Sequence, residues 1–148
     1  MADPILPDSI LPDSILLDTS AAIWLMGGEP ISLESRQAIR GAAKAHVGIY
    51  VSPFTSWEIG TLIAKQRLQL TLSPEIWFEQ LLAMPGVRLA QLTPKILLHS
   101  TALPGSPPAD PADRIIAATA RIGGHVIVTR DKKLLNYARE GHMRAVAC

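Results

Sequence analysis

The sequence predicts an α/β domain of three layers, α/β/α, in which helices cover both faces of a central, mostly parallel sheet of about five strands. Short apolar runs, each of the length of a buried strand, recur along the 148 residues. Segments with helical start and stop signals separate these runs, and such alternation implies right-handed crossovers and parallel strands. Hydrophobic residues make up 48% of the chain, which excludes an intrinsically disordered protein.

The first predicted strand follows a repeated segment. From Ile5 the chain contains ILPDS twice and then an altered third copy, ILLDTS. Prolines in the first two copies remove backbone donors, so a central strand cannot begin before Ser14. We therefore predict an N-terminal extension over residues 1–14 and one domain over residues 15–148. The first strand is Ile15–Leu17, and Asp18 ends it.

The other predicted strands are apolar runs that turn residues or charged residues interrupt. Such runs are typical of strands that are buried on both faces of a parallel sheet. They are Gly48–Ser52, Val87–Leu92, His125–Thr129 and a weakly patterned last strand, Met143–Ala147.

The predicted helices lie between these strands, with capping residues or proline at their starts and glycine or proline after their ends. They cover Ala21–Met26, Leu33–Lys44, Pro53 to about Leu68, a segment that opens at Ser73-Pro74 and runs to Met84, a segment from Pro94, Pro111–Ile122 and Lys132–Arg139.

Several classes of protein are excluded by composition. The apolar runs are too short for a membrane span, which needs about 20 residues, and no basic segment precedes an apolar one as in a signal peptide. The single cysteine, Cys148, cannot form an internal disulfide or a cysteine-based metal site. We therefore expect a cytoplasmic protein. The net charge of +1 argues against a strongly basic nucleic-acid-binding surface without excluding nucleic acid as a partner.

Five acidic residues lie near the boundaries of predicted strands or helices. Two of them follow a strand, and three lie near the start of a helix that comes before or after a strand. They are Asp18, Glu58, Asp110, Asp113 and Asp131. In parallel sheets, ligands collect outside the carboxyl ends of the strands. Four acids from distant segments would repel one another there, and a divalent cation would relieve the repulsion. The four histidines have no ligand spacing, so the acidic oxygens favour Mg²⁺ or Mn²⁺ over zinc.

Each acid also has a structural interpretation. Asp18 and Asp131 could simply cap the next helix. Asp110 before Pro111 is a helix-start pattern that favours a capping role, and Asp113, three residues later, resembles part of a capping box. Glu58 fits a purely structural role least, because its helix neighbours are apolar and an unpaired carboxylate among them is costly.

Four segments together resemble the PIN domain, and closely its VapC-type toxins of bacterial toxin–antitoxin pairs. The segments are LLDTSAAIW, SPFTSWEIGTL, DPADRIIAATA and VIVTRD. The resemblance covers about residues 15–147 and implies a PIN-like fold. It places the family's acidic quartet on Asp18, Glu58, Asp113 and Asp131. It also implies an accessory aspartate at Asp110 and a pocket hydroxyl at Thr129.

The resemblance implies a metal-dependent endoribonuclease that leaves 5′-phosphate and 3′-hydroxyl ends. Asp18 and Asp113 would be the main ligands of Mg²⁺ or Mn²⁺, while Glu58 and Asp131 would orient waters or hold a second ion. It further implies a cognate antitoxin and a homodimer. The alternative is a non-catalytic PIN-like module that binds RNA or protein, although such modules usually lose part of the quartet.

Substrate contacts are predicted from the basic residues closest in sequence to the acids. Arg114, Arg130 and Lys132 are candidates for RNA binding, and a solvated helix start explains them equally well. The aromatic residues could stack on bases, but their spacing favours core packing. They are Trp24, Phe54, Trp57, Trp77 and Phe78.

Of the three aspartates in the repeats, we expect only Asp18 to take part in chemistry. Asp8 and Asp13 each follow Leu-Pro, and a proline cannot donate to the ladder of a buried parallel strand. Asp18 follows Leu-Leu, so its strand can pair on both sides and deliver the carboxylate to the sheet edge.

Overall fold

The computed structural model describes residues 11–148 and contains a parallel sheet of five strands. The strands are β1 (Ile15–Leu17), β2 (Ile49–Val51), β3 (Val87–Leu89), β4 (Val126–Thr129) and β5 (Arg144–Ala147). Their order across the sheet is β3-β2-β1-β4-β5. Every neighbouring pair is parallel, so β1 is central and its carboxyl end lies between those of β2 and β4.

Seven helices connect and cover the strands in the described part of the chain. They are α1 (Thr19–Gly27), α2 (Leu33–Lys44), α3 (Pro53–Ala64), α4 (Pro74–Ala83), α5 (Pro94–Ser100), α6 (Pro111–Gly123) and α7 (Lys132–Arg139). Among residues 11–148, none of them combines the length and the apolar character that crossing a bilayer requires.

The alternation of side chains along the central strand builds two separate cores. Ile15 and Leu17 of β1 pack into one core, which α1 to α4 cover. Leu16 points to the opposite face and packs into the other core, with residues of α5, α6 and α7. A strand buried on both faces has no polar position, which explains the unbroken run of aliphatic residues. The predicted three-layer α/β/α fold is confirmed.

Two predicted boundaries differ from the structure by three residues or more. The helix expected to reach Leu68 ends at Ala64, because Gln66 adopts a left-handed conformation with φ of 58°. The Gln66 and Arg67 amides donate to the carbonyls of Ile63 and Leu62 at 3.0 and 2.9 Å, the pattern of a Schellman C-cap. Glycine usually holds that position, so the sequence gives no stop signal there. The strand expected to reach Leu92 ends at Leu89.

Candidate active site

The carboxyl end of the central strand positions Asp18. Because β1 stops at Leu17, Asp18 becomes the N-cap of α1 and its Oδ1 accepts a hydrogen bond of 2.7 Å from the Ala21 amide. Its Oδ2 accepts a hydrogen bond from the hydroxyl of Thr129, the last residue of β4. Both oxygens are therefore held in place. Asp18 caps a helix and also faces the end of the neighbouring strand. Its capping role is therefore compatible with a position among the acids at the carboxyl edge of the sheet.

Thr129 also contacts Asp131, the acid that follows β4. Its hydroxyl oxygen accepts a hydrogen bond of 2.9 Å from the Asp131 amide. The Asp131 side chain caps α7, since Oδ1 accepts from the amides of Lys133 and Leu134 at 2.7 and 3.2 Å. The buried Thr129 hydroxyl thus links two acids that follow neighbouring strands.

Glu58 reaches the same edge of the sheet from α3. Its Oε1 accepts a hydrogen bond of 2.7 Å from the Thr19 hydroxyl, which lies 3.2 Å from the Thr55 hydroxyl. Thr55, three positions before Glu58, and Ile59, the next residue, are both buried, so Glu58 lies beside the side of α3 that packs into the protein. The pairing with Thr19 offsets part of the cost of placing this carboxylate among apolar neighbours. Thr19 was not predicted as a site residue; its place directly after Asp18 at a strand end was the available signal.

The start of α6 supplies the other two acids. Asp110 is its N-cap, and its Oδ2 accepts a hydrogen bond of 3.2 Å from the Asp113 amide. The predicted capping role of Asp110 is therefore present. The Asp113 side chain is left to face the other acids one helical turn further along.

The four predicted quartet members line one cleft of about 310 Å³ at the carboxyl edge of the sheet. The other lining residues are Thr19, Ser20, Ile116 and Arg130. Asp110 and Thr129 are not among the lining residues. Thr129 contacts the cleft through Asp18, and Asp110 acts on it through its charge.

Three of the acids in this cleft, Asp18, Glu58 and Asp113, have raised pKa values. Burial is the largest cause of the raised pKa of Asp113, which reaches about 7, and the negative charges of Asp131 and Asp110 add to it. Burial also raises the pKa of Asp18, against the hydrogen bond from Thr129, which lowers it. The pKa of Glu58 is raised by burial too, with the Thr19 hydrogen bond opposing the shift. Close carboxylates that cannot all be charged at neutral pH are a favourable environment for a cation.

The donor set fits a hard divalent ion. Apart from the Arg130 guanidinium, the charged groups that line the cleft are carboxylates, and no histidine or cysteine lines it. Within residues 11–148, no three Asp, Glu, His or Cys side chains lie close enough together to hold one ion by themselves. Mg²⁺ does not need such a cage, since it usually retains several waters and takes one or two carboxylates. Asp18 is buried, and the pKa of Asp113 is raised to about 7, so both carboxylates would gain from a nearby cation.

The three predicted basic residues have different surroundings. Arg130 lines the cleft, and its guanidinium lies 3.8 Å above the centre of the Trp24 ring. Arg130 Nε and Nη2 each donate a hydrogen bond of 2.8 Å to a main-chain oxygen, of Cys148 and Pro30 respectively. Arg114 instead donates to the Pro108 carbonyl at 2.7 Å. Lys132 lines a separate, neighbouring cavity.

Core packing holds for only part of the predicted aromatic set. Trp77 is buried, and Phe78 packs against the same core. Trp24 carries Arg130 on its ring. The prediction was wrong for Trp57, which is 60% exposed.

The aspartates of the repeats do not share one location. Asp13 lies beside the amino end of β1, where its Oδ2 accepts a hydrogen bond of 2.6 Å from Arg144, the first residue of β5. Asp13 is therefore at the edge of the sheet opposite the cleft. Asp8 lies outside the described residues.

Comparison with known proteins agrees with this geometry. The family profile described as the PIN domain matches residues 15–140. Ribonuclease VapC22 of Mycobacterium tuberculosis (strain ATCC 25618 / H37Rv) is 35% identical over 123 residues, which is 82% of this chain and 89% of that protein.

Two solved structures share the fold. A crystal structure of VapBC2 from Rickettsia felis, bound to a DNA fragment from its promoter, superposes with a TM-score of 0.63 and 14% identity, covering 91% of this chain and 98% of that chain. DNA-bound VapBC from Salmonella typhimurium gives a TM-score of 0.59 and 21% identity, covering 90% of this chain and 97% of that one. With the profile match over residues 15–140 and the VapC relative, the chain belongs to the PIN-domain family.

Proposed function

We propose that this protein is a metal-dependent endoribonuclease toxin that hydrolyses RNA phosphodiester bonds and leaves 5′-phosphate and 3′-hydroxyl ends. The observation that carries the proposal is the cleft at the sheet edge. It is lined by Asp18, Glu58, Asp113 and Asp131. The chain is 35% identical to a protein named as a ribonuclease, which supports RNA as the substrate.

Asp18 and Asp113 hold Mg²⁺ or Mn²⁺ in this proposal, directly or through water. A bound ion supplies the acidity that makes water a nucleophile near neutral pH and the charge that neutralises the scissile phosphate. Thr129 fixes the orientation of Asp18, and Thr19 fixes that of Glu58. Glu58 and Asp131 then orient water or hold a second ion. Hydrogen-bonded partners of this kind tune ligand orientation and basicity.

Basic residues around the cleft offset its negative charge for an RNA substrate. Arg130 is the best placed of the three candidates, since it lines the cleft itself. Arg114 and Lys132 would contact the RNA chain further from the scissile bond. Because cellular RNA is the substrate, we place the activity in the cytoplasm.

A cognate antitoxin is the proposed protein partner. Two structural neighbours are VapBC proteins, and VapC-type toxins are paired with antitoxins. A cleft of four carboxylates favours a cationic occupant, so we infer that the antitoxin inserts an Arg or Lys side chain near Asp18 and Asp113. Homodimer formation is a further part of the proposal, and light scattering of the purified protein tests it.

A circular RNA tests the proposed reaction, because only an endonuclease can open a circle. With Mg²⁺, the parent should linearise the circle and leave ends that a ligase joins without prior phosphorylation. Asp113→Asn should bind the circle but leave it intact. If the parent binds the circle and never opens it with Mg²⁺ or Mn²⁺, the protein is a non-catalytic RNA-binding module instead.

A further inference from the structure

Trp57 is a large aromatic side chain that the fold leaves in solvent. Its residue is 60% exposed, although it belongs to a helix that packs against the core. The cause is its position on α3. The buried residues Thr55 and Ile59 lie two positions to either side, so at about 100° per residue Trp57 faces away from both. Trp57 is therefore not part of the buried core.

Phe54 orders the exposed indole. The two rings stack with centroids 5.0 Å apart and an angle of 17° between their planes. Phe54 therefore covers one face of Trp57, while the exposed fraction of the residue shows that much of the remaining surface is in contact with solvent. Stacking on one side holds the indole as a flat, oriented surface.

The surroundings of Trp57 suit a small flat ligand better than a broad protein surface. The other exposed residues nearby on α3 are Ser56 and Gly60. A side-chain carbon added at Gly60 would meet nothing within 4 Å, so there is open space one helical turn beyond Trp57. Protein interfaces generally bury a contiguous set of large side chains around an aromatic anchor, which these small neighbours do not provide.

The position of Trp57 connects it to the acidic cleft. Glu58, the next residue, lines the cleft and is held there by Thr19. Phe54 lies four positions before Glu58 and therefore on the same side of α3. Because Trp57 stacks on Phe54, the aromatic pair flanks the side of α3 that carries Glu58. Unpaired bases stack on exposed aromatic side chains whatever their identity, because every base has a π-face.

We propose that the stacked pair Phe54–Trp57 is a binding subsite for an unpaired base of the RNA strand, adjacent to the scissile phosphate. This inference rests on the proposed function for its substrate. It makes Trp57 a substrate-binding residue and predicts a preference for single-stranded over paired RNA, since a base in a duplex cannot present its face to the indole.

Binding of a short unstructured RNA in EDTA tests the subsite without cleavage. Trp57→Leu keeps apolar bulk and removes the indole, so its Kd should rise by roughly five- to a hundredfold, the range for one lost stacked base. Trp57→Phe should recover most of the affinity. Leu98→Ala removes another highly exposed apolar side chain, on α5, and should bind as the parent does. Equal Kd values for the parent and Trp57→Leu would overturn the proposal.

Two further readouts separate the subsite from other roles of Trp57. The parent should bind an RNA that lacks the base at the stacking position more weakly than the intact RNA. The Trp57→Leu variant should bind the two RNAs with equal affinity. In cleavage assays the leucine variant should raise KM and leave kcat close to the parent value. If Trp57→Leu instead changes the oligomeric mass of the protein together with its affinity, the aromatic pair belongs to a protein interface and the subsite is contradicted.

The outcome is distinguishable from a failure of the proposed function. A parent that binds RNA through Trp57 in EDTA but cleaves none with Mg²⁺ or Mn²⁺ would refute the nuclease and support the subsite. A parent that cleaves RNA with no dependence on Trp57 would do the reverse.

Discussion

The hydroxyl of Thr129 donates a hydrogen bond to Oδ2 of Asp18, joining the ends of the two central strands β4 and β1. The same oxygen accepts from the Asp131 amide at 2.9 Å. A single buried side chain thereby sets the positions of two of the four acids. The sheet register places Leu17 beside Val128, which brings the residues after these strands to the same edge.

Replacing Thr129 with valine should reduce cleavage by about 10- to 100-fold, as for the loss of a hydrogen-bonding partner of a metal ligand. The variant keeps the shape of the side chain and loses the donor. Because that hydrogen bond lowers the pKa of Asp18, the acidic limb of the pH–rate profile should also move to higher pH. Thr129→Ser retains the hydroxyl and is the matched control. A valine variant with the parent rate and profile would contradict the assigned role.

Asp113 should make the metal-free protein less stable as pH rises. Its folded pKa of about 7 lies above the ordinary value of 3.8. The protonated form is therefore favoured in the fold, and its stabilising contribution disappears as pH increases through about 7. Asp113→Asn mimics the neutral acid. In EDTA, the melting temperature of the variant minus that of the parent should therefore increase from about pH 4 to pH 8.

A thermal melt series over this pH range measures the difference, with exposed Glu79→Gln as the control. Glu79 does not line the cleft, so its variant should follow the parent. Asp18→Asn should show the same direction at neutral pH, reduced by the disturbance of its hydrogen bonds with Thr129 and Ala21. If the melting temperature of Asp113→Asn instead loses ground to that of the parent as pH rises, burial and repulsion of the Asp113 carboxylate would be contradicted as the cause.

The two aspartates at opposite ends of β1 should respond differently to the same substitution. Asp18→Asn should lower cleavage by more than the ~100-fold that loss of an outer partner costs. Asp13→Asn removes an exposed ion pair with Arg144, worth about 0–1 kcal/mol of stability, and should cleave at the parent rate. An inactive Asp13→Asn with an active Asp18→Asn would show that the wrong repeat has been assigned. Changing Asp8 and Asp13 together to Asn extends the test to the first copy.

Arg130 should contribute to RNA binding through its charge and to stability through its contacts. Arg130→Gln should reduce the salt dependence of binding by about 0.7 in log–log slope for one lost phosphate contact. Arg130→Lys keeps the charge and the slope, but loses the planar fork that reaches Pro30 and Cys148, so its melting temperature should fall. Arg67→Gln, at an exposed position after α3, is the control. If the salt dependence of RNA binding by Arg130→Gln has the same slope as that of the parent, Arg130 has a structural role only.

The fold was predictable because its two central strands are aliphatic apart from the terminal Thr129. The predicted strands Ile15–Leu17 and His125–Thr129 contain these aliphatic runs, and the acids Asp18 and Asp131 follow where the runs end. Local signals failed where tertiary structure decided the outcome. Gln66 adopts a left-handed C-cap that glycine usually marks, so the predicted end of α3 was too late.

The candidate site was predicted to a similar extent. Asp18, Glu58, Asp113 and Asp131 were identified from sequence, and the structure brings them to one cleft. The hydrogen bond from Thr19 to Glu58 joins residues 39 positions apart, so no local sequence pattern predicts it. The exposure of Trp57 depends on which face of α3 meets the core. Burial of Thr55 and Ile59 settles that face. The apolar residues of α3 are distributed around the helix, so their spacing alone does not identify the buried face.

The most direct test of the central claim is the rate at which the parent cleaves one defined RNA as divalent ions are removed and restored. The cleft brings together carboxylates whose raised pKa values indicate crowding and burial, and we propose that an ion is needed to make them productive. The rate should fall to background in excess EDTA and return when Mg²⁺ or Mn²⁺ is added beyond the chelator. Cleavage at the full rate in excess EDTA would contradict the account.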